Sequence, residues 1–151
     1  MKNLHTKLNL YAQKCDELLL SEHLKKLIDE ASNSVEEVEP SELYIVSKDT
    51  LLVDVREPEE FASGYINAHK TLTIPRGKLE FMAIDKIAKK YNNDINIITY
   101  CLKGQRGLLG AYQLQKMGFN NVKNLKGGIL NWLADGNTIH NYLGEMELVD
   151  G

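Results

Sequence analysis

Neither a metal site nor a disulfide scaffold has the residues it would need in this chain. Its 151 residues hold two cysteines, Cys15 and Cys101, in different regions, and four scattered histidines without ligand spacing. Two thiols make no zinc motif and no cross-linked framework. Long apolar runs are missing too, so nothing approaches a membrane span, and Met1 to Leu20 lacks the continuous apolar core of a signal peptide. The expected setting is therefore cytoplasmic and off the membrane. Charge of one sign is not in excess: a net −3 argues against a general binder of nucleic acid or of anionic membranes. There is no internal repeat and no low-complexity segment. What remains, 43% hydrophobic and 26% charged residues, is the composition of a soluble globular protein with room for one α/β domain and an appendage.

Glycine and proline are absent from Met1 to Glu39, and apolar residues there recur at helical spacing. Leu4, Leu8, Tyr11, Cys15 and Leu18 form one stripe; Leu24, Leu27, Ile28 and Ala31 form another. Ser21 between them is a natural N-cap, and Asn33-Ser34 closes the second segment. The expectation is a helical hairpin over residues 1–37, with one long helix as the alternative. Its stripes either cover the chain's own domain, pair with a second copy to form a homodimer, or receive a partner. Cys15 on the first stripe reads as a core thiol, with a disulfide to Cys101 as the alternative.

From Val38 onward, strand-like runs alternate with helical ones, the pattern of a parallel sheet covered on both faces. Candidate strands are Tyr44–Val46, Leu51–Val55, Leu72–Ile74, Ile95–Tyr100 and Val122–Leu125; Ala83–Tyr91 and Gly128–Ala134 read as helices. This domain is expected over residues 38–136. A tail over residues 137–151 carries Tyr142, Leu143, Met146 and Leu148, which are expected to pack back onto it.

The chemistry-bearing stretch is Cys101-Leu102-Lys103-Gly104-Gln105-Arg106-Gly107. The β-branched run before it delivers the thiol to a strand tip, and Leu108, Leu109, Ala111, Tyr112 and Leu114 then recur at helical spacing. A short glycine-containing loop that opens a helix is an anion cradle, because successive N–H groups and the helix dipole favour a thiolate. Lys103 and Arg106 add positive charge. Four residues separate Cys101 from Arg106, one fewer than a loop that wraps a tetrahedral phosphate, so the cradle suits a smaller group such as a persulfide sulfur. The alternative is an inert buried thiol.

These residues resemble the rhodanese-like family of sulfurtransferases, over about Val38 to Trp132. Leu51-Leu52-Val53-Asp54-Val55-Arg56-Glu57-Pro58-Glu59-Glu60-Phe61 is similar to the family's first signature. Gly64-Tyr65-Ile66-Asn67-Ala68-His69 and Ile74-Pro75-Arg76-Gly77 resemble its next block, and Cys101 to Arg106 its active loop. Leu125-Lys126-Gly127-Gly128-Ile129-Leu130-Asn131-Trp132 is similar to the last signature.

The resemblance implies an α/β fold and a two-step sulfur transfer without metal or organic cofactor. Cys101 would take a sulfane sulfur from a donor such as thiosulfate and pass it to cyanide, a thiol or a partner protein. The N–H groups of Leu102, Lys103, Gly104, Gln105 and Arg106 would stabilise the sulfur anion. The basic loop places the chain nearer the thiosulfate-using members. Asp54 and Arg56 are expected to support the loops at the sheet edge rather than to react, while His69 is a pocket-wall group or a surface residue. Rival readings are a non-enzymatic rhodanese-like interaction module and a cysteine phosphatase or arsenate reductase on the same fold.

Overall fold

Five short strands line up in parallel in the order β1-β5-β4-β2-β3. They are β1 (Glu36–Val38), β2 (Leu51–Asp54), β3 (Lys70–Thr73), β4 (Asn96–Tyr100) and β5 (Asn121–Leu125). The structure, a computed structural model, describes residues 22–45 and 48–148 together with Thr6, Lys7 and Asn9. Around the sheet lie α1 (Glu22–Ser34), α2 (Pro58–Ser63), α3 (Leu79–Ala83), α4 (Gln105–Lys116) and α5 (Gly128–Ala134). A wider helical turn, Ile84–Ala88, extends α3. The last pair, β6 (Ile139–Asn141) and β7 (Gly144–Met146), forms an antiparallel hairpin.

The period-two geometry of a strand sorts side chains to the two faces. Leu51, Val53, Val55, Ile97 and Cys101 join Ala31 of α1, Leu79 and Ala83 of α3, and Leu108, Ala111 and Leu114 of α4 in one core. Leu52, Ile98, Tyr100 and Leu125 meet Ile66, Ile129 and Trp132 in the other. All four residues of β2 are buried, as a central parallel strand requires. Each fully buried Leu or Ile of these cores contributes about 1.5–3 kcal/mol of transfer free energy.

This arrangement settles several expectations. The α/β architecture with helices on both faces of a parallel sheet is present. The second apolar stripe near the N-terminus covers the chain's own domain in part: Ala31 is fully buried and Ile28 packs against the core, while Leu27 stays 39% exposed, and the Tyr112 hydroxyl on α4 donates to Glu30 at 3.0 Å. The first stripe, Cys15 and the Ser21 cap lie outside the described residues.

The segment from Tyr44 corrects the sequence reading. Tyr44 and Ile45 end a 3-10 turn over Pro40–Ile45 instead of starting a strand, and Val46 lies outside the described residues. The edge position is taken by Glu36–Val38, which pairs with Lys123–Leu125. Pro40 fixes φ and removes an N–H, so it ends that strand and starts the turn. The strand was hidden by its acidity; Glu36 offsets this by reaching Lys123 at 3.3 Å across the ladder.

Other boundaries move by a few residues. The helix expected at Ala83–Tyr91 begins at Leu79 and its extension ends at Ala88. The tail also differs: Tyr142 and Leu143 sit exposed at the hairpin tip. The hairpin attaches instead through a bridge between Tyr65 and His140 and through buried Asn137.

Candidate active site

Cys101 leaves β4 on the α4 side of the sheet and is 1% exposed. The chain then turns through Leu102, Lys103 and Gly104 into α4. Gly104 has φ +123°, a backbone conformation that a side chain would strain. With that turn made, the Gly104 N–H donates to Cys101 Sγ at 3.0 Å.

Three of the loop's carbonyls are held elsewhere. Cys101 O accepts from Ile129 N at 2.9 Å and Leu102 O from Leu130 N at 3.1 Å, both in the first turn of α5. Gly104 O accepts from Leu108 N at 2.9 Å and from Asn124 Nδ2 at 3.1 Å. A trans peptide places its N–H opposite its C=O, so the N–H groups of Leu102, Lys103 and Gln105 point away from these anchors. The first N–H groups of α4, from Gln105 onward, have no acceptor within their own helix. Successive donors on one short loop form a concavity suited to a small anion.

Two neighbours make these bonds fit. Gly128 has φ +63°, and a Cβ there would lie 2.5 Å from Cys101 O. Only glycine lets α5 start this close to the loop. Below the loop, Asn124 is fully buried on β5. Its amide donates to Gly104 O and to Glu37 Oε2 at 2.9 Å, and its oxygen accepts from the Thr99 hydroxyl at 3.0 Å. Sequence reasoning missed Asn124. Its signal was a polar residue at an inward-facing strand position, two residues after buried Val122.

The expected supporting pair stands at the neighbouring strand tip. Asp54 ends β2 opposite Tyr100 and Thr73. Arg56 reaches back with Nη2 to Asp54 Oδ2 at 2.8 Å and Nε to Oδ1 at 3.0 Å. Arg56 Nη2 also donates to Gly64 O at 2.7 Å, and its guanidinium lies 5.5 Å from the Tyr100 ring centroid. Burial works against the Arg56 charge, but the bonded Asp54 outweighs it and raises the pKa above its ordinary value. Tyr100 accepts from Ile66 N at 3.2 Å; burial first, then the nearby Asp54 charge, pushes its phenol pKa far up. The group's bonds run to Gly64 and Ile66 in the turn after α2.

Arg106 reaches across to α2. Its Nη1 and Nη2 bond Glu60 Oε2 and Oε1, each at 2.8 Å, in a two-pronged ion pair with α2. That bond, against the opposing effect of burial, holds the Glu60 carboxyl below its ordinary 4.5. Lys103 and Gln105 are half-buried on the loop, and His69 is an exposed surface residue. A cavity of about 760 Å³ opens at the opposite end of the strands, beside Glu36, Asn96 and Asn121, away from the cysteine.

A profile of the rhodanese-like domain matches residues 39–135. The chain belongs to the rhodanese-like domain family. It is 30% identical over 104 residues to a sulfurtransferase of Allochromatium vinosum, an alignment covering 69% of this chain and 91% of that one. It is 33% identical over 93 residues to a mitochondrial protein of Schizosaccharomyces pombe, provisionally named a thiosulfate sulfurtransferase; here 56% of this chain and 64% of that protein are covered. The solved human single-domain sulfurtransferase superposes with a TM-score of 0.57 at 26% identity, covering 67% of this chain and 97% of that one. Sulfurtransferases are thus among the relatives of this rhodanese-like chain, and the human one superposes on its fold.

Two outcomes follow from this geometry. Gly128→Ala should displace the Cys101–Leu102 backbone and lower stability by about 1–3 kcal/mol. It should also slow alkylation of Cys101, whereas Gly77→Ala, which meets no atom within 4 Å and needs no left-handed backbone, should leave the alkylation rate unchanged. Urea unfolding and timed iodoacetamide labelling check both. Separately, a carboxyl with a depressed folded-state pKa contributes stability above its unfolded value and loses it as pH falls through the folded one. The stability gap between the native chain and Glu60→Gln should therefore be full at pH 7 and close as pH drops below 4.5, by urea unfolding at each pH.

Proposed function

We propose that this rhodanese-like domain is a sulfurtransferase in which Cys101 carries the sulfur as a persulfide. The observation that supports it most is the 3.0 Å bond from Gly104 N–H to Cys101 Sγ, within a loop whose Cys101, Leu102 and Gly104 carbonyls are bonded elsewhere. Donors fixed before reaction stabilise developing charge without reorganisation, and one such donor is typically worth about 3–4 kcal/mol.

With thiosulfate as donor, the Cys101 thiolate attacks the outer sulfur. The new bond is Sγ–S; the sulfur–sulfur bond of thiosulfate breaks, and sulfite leaves with its electron pair. Charge is conserved: a thiolate and a dianion become a persulfide anion and sulfite dianion. In the second half, cyanide, a thiol or a partner protein attacks the outer sulfur of the persulfide and regenerates the thiolate. The amides of Leu102 through Arg106 hold the anionic sulfur in both halves, with Lys103 adding positive charge at the loop. Asp54 and Arg56 act by holding the neighbouring turn, not by touching sulfur. Because the thiolate is the reactive form, the protein belongs in a reducing compartment such as the cytoplasm.

A phosphatase reading is less well supported. The loop is one residue short between Cys101 and Arg106, and the arginine that would clasp phosphate oxygens is committed to Glu60.

The test is intact mass. Reduced protein incubated with thiosulfate should gain one sulfur on Cys101, lose it to cyanide as thiocyanate, and gain none as Cys101→Ser. No sulfur gained from thiosulfate, nor from a small-molecule persulfide run alongside, would contradict the transferase reading and leave the interaction module in its place.

A further inference from the structure

The sequence has three arginines, Arg56, Arg76 and Arg106, and all three follow strands that end at the cysteine's edge of the sheet. Arg56 comes just after β2, Arg76 after β3 and Arg106 after β4. Each faces a carboxylate: Arg56 bonds Asp54 at 2.8 Å, Arg76 bonds Glu80 at 2.6 Å and Arg106 bonds Glu60 at 2.8 Å. The three pairs sum to zero charge.

Glu60 is the one of these carboxylates that acts on the loop itself. Its Oε2 also accepts from Glu57 N at 3.0 Å, at the start of its own helix. The carboxylate is therefore fixed from two sides, and Arg106 meets it with two parallel N–H donors, the strongest geometry for this pair. A charge neutralised this way exerts little attraction beyond its own contact, whereas backbone N–H groups still bind an anion that enters the loop.

We propose that Glu60 determines the donor specificity of the site: by neutralising Arg106 it lowers the preference for dianionic sulfur donors relative to donors of lower charge. This rests on the sulfurtransferase reading above and makes the specificity run opposite to a count of loop cations. Glu60 does not touch the reacting atoms; it acts through the charge of Arg106.

The test reads charge at Cys101 in two ways, on the full chain and on Glu60→Gln, which keeps the size of the side chain and removes its charge. The first is the rate of sulfur gain from thiosulfate, divided by the rate of alkylation by uncharged iodoacetamide in the same sample. Dividing the two rates cancels any change in folded fraction. The expected result is a ratio about fivefold higher in Glu60→Gln at low salt, shrinking toward the native ratio at 0.5 M salt (about 5 Å of screening length). The second is the rate ratio of iodoacetate to iodoacetamide, which needs no sulfur transfer and should rise by about two- to threefold in the same variant.

An Arg106→Gln companion should move both ratios the other way, and the double variant should return them to near native. A merely structural Glu60–Arg106 pair would leave both ratios unchanged or would make the double variant the most altered of the three; either result overturns the proposal. If the native chain takes sulfur neither from thiosulfate nor from a small-molecule persulfide while the iodoacetate ratio shifts as stated, the transferase reading fails and the charge masking stands.

Discussion

The backbone between Cys101 and Gly104 is held by its carbonyls, and most of what surrounds the thiol exists to keep it so. α5 supplies two of the anchoring N–H groups, from Ile129 and Leu130, and the side chain of Asn124 supplies a third. Because peptides are planar, holding a carbonyl on one side fixes its N–H on the other. The N–H groups of Leu102, Lys103 and Gln105 are preset in this way, on either side of the Gly104 N–H that already reaches the sulfur. The anchors are polar groups that would be orphaned in the fold without the loop: helix-start N–H groups and a buried amide. Loop order and helix satisfaction are thus the same interactions.

The second constraint lies one strand away. Asp54 and Arg56 are buried almost completely, with side-chain exposures of 2% and 3%. Removing either partner would strand a charge in the core, a loss of about 3–5 kcal/mol. Their bonds reach Gly64, and Tyr100 binds Ile66 N, so the turn after α2 is fastened to the residue that precedes Cys101. From that same α2, Glu60 reaches the far end of the loop at Arg106. The two ends of the cradle are therefore referenced to one short helix and its flanking turn. Substitutions in α2 are expected to be felt at the thiol although no α2 residue lines it.

The architecture and the cysteine loop were legible in the sequence because their signals are local. Apolar runs ending in Asp54 and Cys101, followed by helical spacing, identify strand tips on one sheet edge. The Gly127-Gly128 pair marks a helix start where the backbone comes close. What was not legible is pairing across the fold. A strand made of Glu36, Glu37 and Val38 has little intrinsic preference for that state and exists because β5 offers an edge and Lys123 a counter-charge. Tyr142 and Leu143 read as core by composition, yet a two-residue hairpin tip points them outward. The same limit applies to charge: Arg106 in the loop suggests a cationic cradle until Glu60, 46 residues earlier in the chain, is placed against it. Asn124 carries no motif at all and acquires its role only when β5 lies beside β4.

The central claim, that preset loop amides hold the sulfur anion, is tested most directly by amide NMR of the reduced and persulfidated protein. The account predicts downfield shifts of amide protons confined to Leu102 through Arg106 when the sulfur is added, with the Ile129 and Leu130 amides unmoved because they stay bound to the loop carbonyls. Persulfidation that leaves the loop amides unchanged, or that shifts Ile129 and Leu130 as the loop rearranges, would contradict it.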